Sequence, residues 1–279
     1  MELRTAASPK DVKHYDTDRL REEFLIDDLF KPDEIKTLYS HIDRIIVGSA
    51  VPVSNALTLT AGEEIRAAYF LERREMGIIN VGGKGVVTID GKDYALDFKD
   101  GIYIGMGAKD ISFKSDAKDN PSKFYFNSAP AHKAYPIKLV RKDDILPENK
   151  VELGTGEACN ERVINKYIVP GQVDSCQLVM GITSLKPGSV WNTMPWHTHD
   201  RRMEVYLYFE VPDDAVVFHY MGEPNETRHI IMRNQEAVIS PSWSVHSASA
   251  TKCYSFIWGM VGENQAFDDM DWVPTKDMR

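Results

Sequence analysis

Short apolar runs separated by turn residues recur along most of the chain, and they predict strands. Tyr69-Phe70-Leu71, Met76 to Val81 and Gly85 to Ile89 open the series. Asp90-Gly91 stands between Val86-Val87-Thr88-Ile89 and Tyr94-Ala95-Leu96. That spacing predicts a hairpin, because a tight primed turn needs two residues that tolerate positive φ. Ile102-Tyr103-Ile104, Ile111 to Phe113 and Phe124-Tyr125-Phe126 continue the pattern. A second series runs from Val163 to Trp258. It includes Gln177 to Met180, Val205 to Val211, Val216 to Tyr220, Ile230-Ile231-Met232, Ala237-Val238-Ile239 and Tyr254 to Trp258. Many short strands at regular spacing predict an all-β sandwich or barrel architecture. Near the N-terminus the period changes. Leu20, Phe24, Leu25 and Leu29 among charges predict a short amphipathic helix within Thr17 to Phe30, with Thr17 as its N-cap. His41 to Gly48, rich in β-branched residues, predicts a strand.

Between the two series, residues 141–162 are polar and lack apolar periodicity, as a linker would. The chain therefore divides into residues 1–150 and 151–279. The halves echo each other. Arg73-Arg74-Glu75 opens one series and Arg201-Arg202-Met203-Glu204 the other, while Ile102-Tyr103-Ile104 before its glycine turn matches Val238-Ile239-Ser240 before Pro241. A repeat of this size points to duplicated domains; the alternative is coincidence between two β-rich halves.

Composition narrows the class. With 43% hydrophobic and 27% charged residues, the chain can bury a core. Its formal net charge of −9 repels phosphate backbones, which argues against a nucleic-acid partner. No apolar run reaches the ~20 residues of a membrane span. The charged start Met1-Glu2-Leu3-Arg4 is unlike a secretory signal. Cys159, Cys176 and Cys253 are odd in number and widely spaced, as expected of reduced thiols in a cytoplasmic protein.

The candidate chemistry lies in Trp196-His197-Thr198-His199-Asp200-Arg201-Arg202-Met203-Glu204. Residues two apart on a strand share a face, so His197 and His199 can reach one point. Glu204 is at an odd offset and reaches that point only if Asp200-Arg201-Arg202 forms a turn or bulge. His246, after Ser240-Pro241-Ser242-Trp243-Ser244, is the fourth member. Three imidazoles and a carboxylate suit zinc, and manganese, iron or nickel would accept them too. The first half has no histidine at either corresponding place, so it cannot build the same site.

These residues resemble the two metal motifs of cupins. Longer blocks resemble one cupin family, the 5-keto-4-deoxyuronate isomerases: Tyr39 to Gly48, Tyr69 to Glu75, Asn192-Thr193-Met194-Pro195, Ser240 to Ser244 and Phe256 to Gln265. The resemblance covers nearly the whole chain. It implies a bicupin of two tandem β-barrel or jelly-roll domains with a few short peripheral helices, the first without metal ligands. It implies one zinc per subunit on His197, His199, Glu204 and His246, and a homohexamer. The implied reaction is an aldose–ketose isomerisation of 5-dehydro-4-deoxy-D-glucuronate to 3-deoxy-D-glycero-2,5-hexodiulosonate, in the breakdown of pectin-derived uronates.

Moving a carbonyl from C1 to C2 by an enediolate route needs a Lewis acid and a proton carrier. A hydride shift is the competing route. Glu204, Tyr206 and Tyr208 share a strand face and are the candidate catalytic groups; Glu223, His219 and His229 are further ones. Arg162, Lys166 and Arg202 are candidates for the substrate carboxylate, with Arg201 and Arg228 behind them. Arg202 could instead orient Glu204. Two other classes fit the residues: an iron-dependent cupin dioxygenase and a non-catalytic sugar-binding bicupin. The long blocks favour the isomerase over the dioxygenase, and the intact set of four ligands argues against the non-catalytic barrel.

Overall fold

The fold follows from the alternation of short apolar runs and turns. In a computed structural model, 42% of residues are in strands and 6% in helices, so the protein is mostly β. The structure describes residues 1–193 and 195–279; Met194, part of the 192–195 block, lies outside the described residues. Two compact units form. One comprises Met1–Arg4, Asp28–Leu146 and Tyr167–Val179; the other comprises Thr5–Asp27, Pro147–Lys166 and Met180–Arg279. The chain thus passes between the units several times.

In the first unit a seven-stranded sheet runs, neighbour to neighbour, Glu2–Arg4, Ile35–Ser40, Ile46–Ala50, Phe124–Pro130, Arg74–Asn80, Gly101–Ile104 and Lys138–Val140. A four-stranded sheet runs Leu57–Thr58, Ile111–Ser115, Gly85–Ile89 and Lys92–Leu96. Met76, Ile78 and Phe126 of the first sheet pack with Val87, Ile111 and Phe113 of the second in one buried cluster. The expected hairpin is present: Ile89 pairs with Lys92, and Asp90 and Gly91 both have positive φ.

The second unit repeats this order. Its seven-stranded sheet runs Lys150–Leu153, Arg162–Ile168, Val179–Leu185, Ser255–Gly262, Arg202–Phe209, Glu236–Ser240 and Leu25–Ile26. Its four-stranded sheet runs Trp191–Asn192, Ser247–Ala250, Val217–Glu223 and Glu226–Met232. Ignoring the outermost strands, the two units place successive chain segments in the same order. A close contact also repeats. A Cβ on Gly48 would come within 2.3 Å of the Phe126 ring, and one on Gly181 within 2.2 Å of the Trp258 ring. In both sheets an aromatic side chain lies across a backbone that only glycine leaves open.

Four local expectations are corrected. His41 to Arg44 is a turn, because Asp43 and Arg44 have φ of 47° and 58°, which no strand accommodates. Tyr69-Phe70-Leu71 lies in turns and bends, with Phe70 and Leu71 buried as plugs of the first core. The helix spans Thr17–Phe24 and is capped by Asp16, whose carboxylate accepts from the Arg19 N–H; Leu25–Ile26 then leaves as a strand. The 141–162 stretch is not all linker, since Lys150–Leu153 pairs with the strand from Arg162.

Candidate metal and substrate site

All four sequence-predicted ligand residues are buried in the second unit. His197 belongs to the short strand His197–Thr198, which pairs antiparallel with Asp271–Trp272. A turn at Asp200 and Arg201 follows, and the strand Arg202–Phe209 brings Glu204 back beside the histidines. Ser240 stands opposite Glu204 in the sheet register. The chain leaving Ser240 through Pro241 therefore returns His246 to the same place.

The donors converge. Candidate ligand atoms of His197, His199 and His246 lie within 4.8 Å of one another. Glu204 Oε2 is 3.3 Å from His199 Nε2 and 3.0 Å from His246 Nε2. Backbone carbonyls fix two of the rings. His199 Nδ1–H donates to the Arg202 carbonyl at 2.9 Å, and His246 Nδ1–H donates to the Ser244 carbonyl at 3.3 Å. Each Nε2 is thereby left with its lone pair. Among the described residues His246 Nε2 makes no hydrogen bond despite its closeness to Glu204, and the buried His197 Nδ1 has no partner.

Buried nitrogens are normally satisfied, so these orphans fit a bound metal ion. The ionisation states agree. Burial, reinforced by the charge of His246, pushes the His197 imidazole down to about 2, so it is neutral as a ligand must be. Burial on its own would raise the Glu204 carboxyl, but His246 and His199 outweigh it and hold it below the usual carboxylate range. The His197, His199 and His246 group can hold a metal ion.

A cavity of about 200 Å³ opens on His197, His199 and Glu204. Tyr206 and Arg162 line it, as do Phe267, Asp268 and Trp272 from the C-terminal segment. The Trp272 ring meets His197 edge to face at 5.1 Å. Arg162 is buried, with one guanidinium N–H donated to the Asn160 carbonyl at 2.9 Å. Burial, and next the charge of Glu204, push the Tyr206 phenol well above its ordinary value, so it stays protonated.

Other candidates stand elsewhere. Tyr208 does not line the cavity; its hydroxyl joins His219 Nδ1 at 2.8 Å, and His219 Nε2 joins Ser240 Oγ at 3.2 Å. Lys166 stacks its ammonium over Phe267, 4.2 Å from the ring centroid, and does not line the cavity either. Arg202, 1% exposed, is ion-paired with Asp269 and also reaches Asn264 and Phe267. Its side chain holds the C-terminal segment, while its carbonyl orients His199. Arg201 pairs with Asp269 and Asp271, Arg228 donates to the Lys13 and Tyr15 carbonyls, and His229 packs on Phe218. Glu223 is not a lining residue of this cavity.

Asp268 and Trp272 are site residues that the sequence analysis does not single out. The aromatic residues inside the acidic C-terminal tail were the available signal, since a solvated tail has no use for Phe267 and Trp272.

Known proteins agree with this architecture. An IolB-like protein from Salmonella typhimurium LT2 superposes with a TM-score of 0.72 over 90% of this chain and 96% of that one, at 13% identity, and so shares the fold. In sequence, a Lachnoclostridium phytofermentans protein named 4-deoxy-L-threo-5-hexosulose-uronate ketol-isomerase is 73% identical across the full length of both chains. An Escherichia coli SE11 protein of the same name is 53% identical, again over the full length of both. Residues 26–275 match the KduI/IolB family, and the chain belongs to that family.

Proposed function

We propose that this chain is a metal-dependent ketol-isomerase converting 5-dehydro-4-deoxy-D-glucuronate to 3-deoxy-D-glycero-2,5-hexodiulosonate in uronate and pectin breakdown. The observation that carries this reading is the full-length, 73% identical relative of that name. The histidine cluster beside an arginine-lined cavity supplies the chemistry such a reaction needs. The same full-length match favours the isomerase over a dioxygenase or a non-catalytic barrel.

The two units are read as tandem cupin domains, nominally 1–150 and 151–279, the repeated strand order being their support. Zinc, one per subunit, is the proposed cofactor, held by His197, His199, Glu204 and His246; three imidazoles and a carboxylate form a four-coordinate set that zinc favours. Bound there, zinc would act as a Lewis acid on the substrate oxygens. Arg162 takes the substrate carboxylate through paired donors. Tyr206 remains a phenol and donates a hydrogen bond to a substrate oxygen. Glu204 is committed to the imidazoles, which leaves Asp268 as the carboxylate of the cavity free to carry a proton. It removes the proton from C2 and, once that proton has exchanged with solvent, delivers one to C1, while the hydroxyl proton of C2 passes to the C1 oxygen. The assembly is a homohexamer in the cytoplasm on this reading. Among the described residues no helix is long and apolar enough to cross a membrane.

One experiment tests the core of the proposal. Purified protein of measured metal content is given 5-dehydro-4-deoxy-D-glucuronate in D2O and followed by NMR. Product carrying solvent deuterium at the carbon that was the aldehyde C1 of the substrate is the expected result; unlabelled product assigns a hydride shift in place of the Asp268 route. No conversion by metal-loaded protein, or full metal content and turnover in His199→Ala, sinks the assignment. Light scattering checks the hexamer.

A further inference from the structure

The first unit has a cavity of its own, of about 430 Å³, lined in part by Tyr39, Arg44, Glu64, Phe70, Arg73 and Arg74. Arg74 begins the strand that corresponds to the one begun by Arg202, and both are buried, Arg74 at 6% exposure. Their partners differ. Arg202 meets the carboxylate of Asp269. Among the described residues Arg74 meets neutral groups only: Ser128 Oγ at 3.0 Å, the Ser128 carbonyl at 2.8 Å, the Arg44 carbonyl at 2.6 Å and the Tyr39 ring at 5.6 Å. The neighbouring Glu75 carboxylate is taken by the Tyr103 hydroxyl and the N–H groups of Cys176, Gln177 and Leu178. A guanidinium buried without an ion-pair partner is uncommon, because its desolvation is left uncompensated.

The surroundings add to that unbalanced charge. Arg44 is exposed and sits at a φ of 58°, its carbonyl held by Arg74. Arg73 is ion-paired with Glu72 at 3.3 Å and anchors itself on the Ile65 and Arg66 carbonyls, so the unpaired charge is that of Arg74 and Arg44. Glu64 also lines the cavity; its Oε1 is ion-paired with the Met1 ammonium at 3.1 Å, and among the described residues its buried Oε2 has no hydrogen-bond donor. An orphan carboxylate oxygen asks for a hydroxyl or amine, and it repels a multiply charged anion.

We propose that this cavity is a second ligand site, which takes a small hydroxylated carboxylate such as a sugar acid. Arg74 and Arg44 receive the carboxylate, Glu64 Oε2 accepts from a hydroxyl, and Phe70 with Tyr39 covers the carbon face. The site is separate from the histidine cluster and does not rest on the isomerase reading.

Calorimetric titration of metal-loaded protein with D-gluconate tests it, with acetate and inorganic phosphate as comparison probes. The key variant is Arg44→Asn, which removes an exposed charge and suits a left-handed backbone. Gluconate is expected to bind the wild type and His199→Ala alike, to weaken at least about tenfold in Arg44→Asn, and to exceed acetate and phosphate by about the same factor. Deoxyuronate turnover by Arg44→Asn stays within about twofold of wild type. Binding that is absent at millimolar gluconate, unchanged in Arg44→Asn, or lost in His199→Ala overturns the site. Acetate or phosphate binding as tightly as gluconate overturns its ligand class.

Discussion

His199 and His246 each spend Nδ1 on a backbone carbonyl, and that choice orients the other nitrogen toward Glu204. The roles around them differ by ionisation. A phenol raised by burial, as Tyr206 is, donates but does not accept a proton at neutral pH. Replacing Asp268 by Asn therefore removes the proposed proton carrier while leaving the metal group intact. The expected outcome is kcat lower by roughly 10²–10⁴ with metal content unchanged, read by steady-state assay and metal analysis.

His219 gives a prediction about stability. Burial, and then the charge of His246, push its imidazole down to about 3, from 6.5 in the open chain. The unfolded chain binds a proton in that window and the folded chain does not. Stability is thus fully present above pH 6.5 and is lost as pH falls toward 3, by up to about 1.4 kcal/mol per pH unit. His219→Gln, measured by denaturant unfolding across that range, is expected to flatten the slope; an unchanged slope assigns the loss to other groups.

At the scale of elements, turns were more legible than edges. Asp90-Gly91 announces its hairpin because the turn imposes a backbone few residues accept. His41 to Gly48 reads as a strand since nothing in a β-branched run declares that Asp43 and Arg44 turn left-handed. Lys150–Leu153 hides in a polar stretch because an edge strand with little buried surface needs few apolar residues. The glycine under each aromatic ring is a contact between strands distant in sequence. At Gly181 an added methyl meets both the Trp258 ring and, at 2.4 Å, the Asn165 carbonyl. Gly181→Ala is expected to destabilise by about 1–3 kcal/mol in chemical denaturation, as overpacking does. It also displaces Trp258, a wall of the cavity, so KM should rise with it.

For the molecule as a whole, an ion bound only by the folded state adds stability by mass action. Chelation followed by calorimetry is expected to lower Tm by several degrees and abolish turnover, with zinc restoring both. A Tm indifferent to chelator argues against a resident metal.

The sequence by itself determined the mostly β character, through its short apolar runs, and the candidate metal group, through His-x-His spacing and a distant histidine beyond a proline turn. Those signals are local, or repeat at short period. Only the tertiary structure decided which cations and tyrosines meet the cavity. Tyr206 lines it and Tyr208 does not, though both were read onto one strand face; Arg162 lines it while Arg202 is taken by Asp269. It also brought Asp268 and Trp272 from the far end of the chain. Such choices depend on ion pairs and packing between residues tens of positions apart, and no pattern along the chain encodes which partner wins.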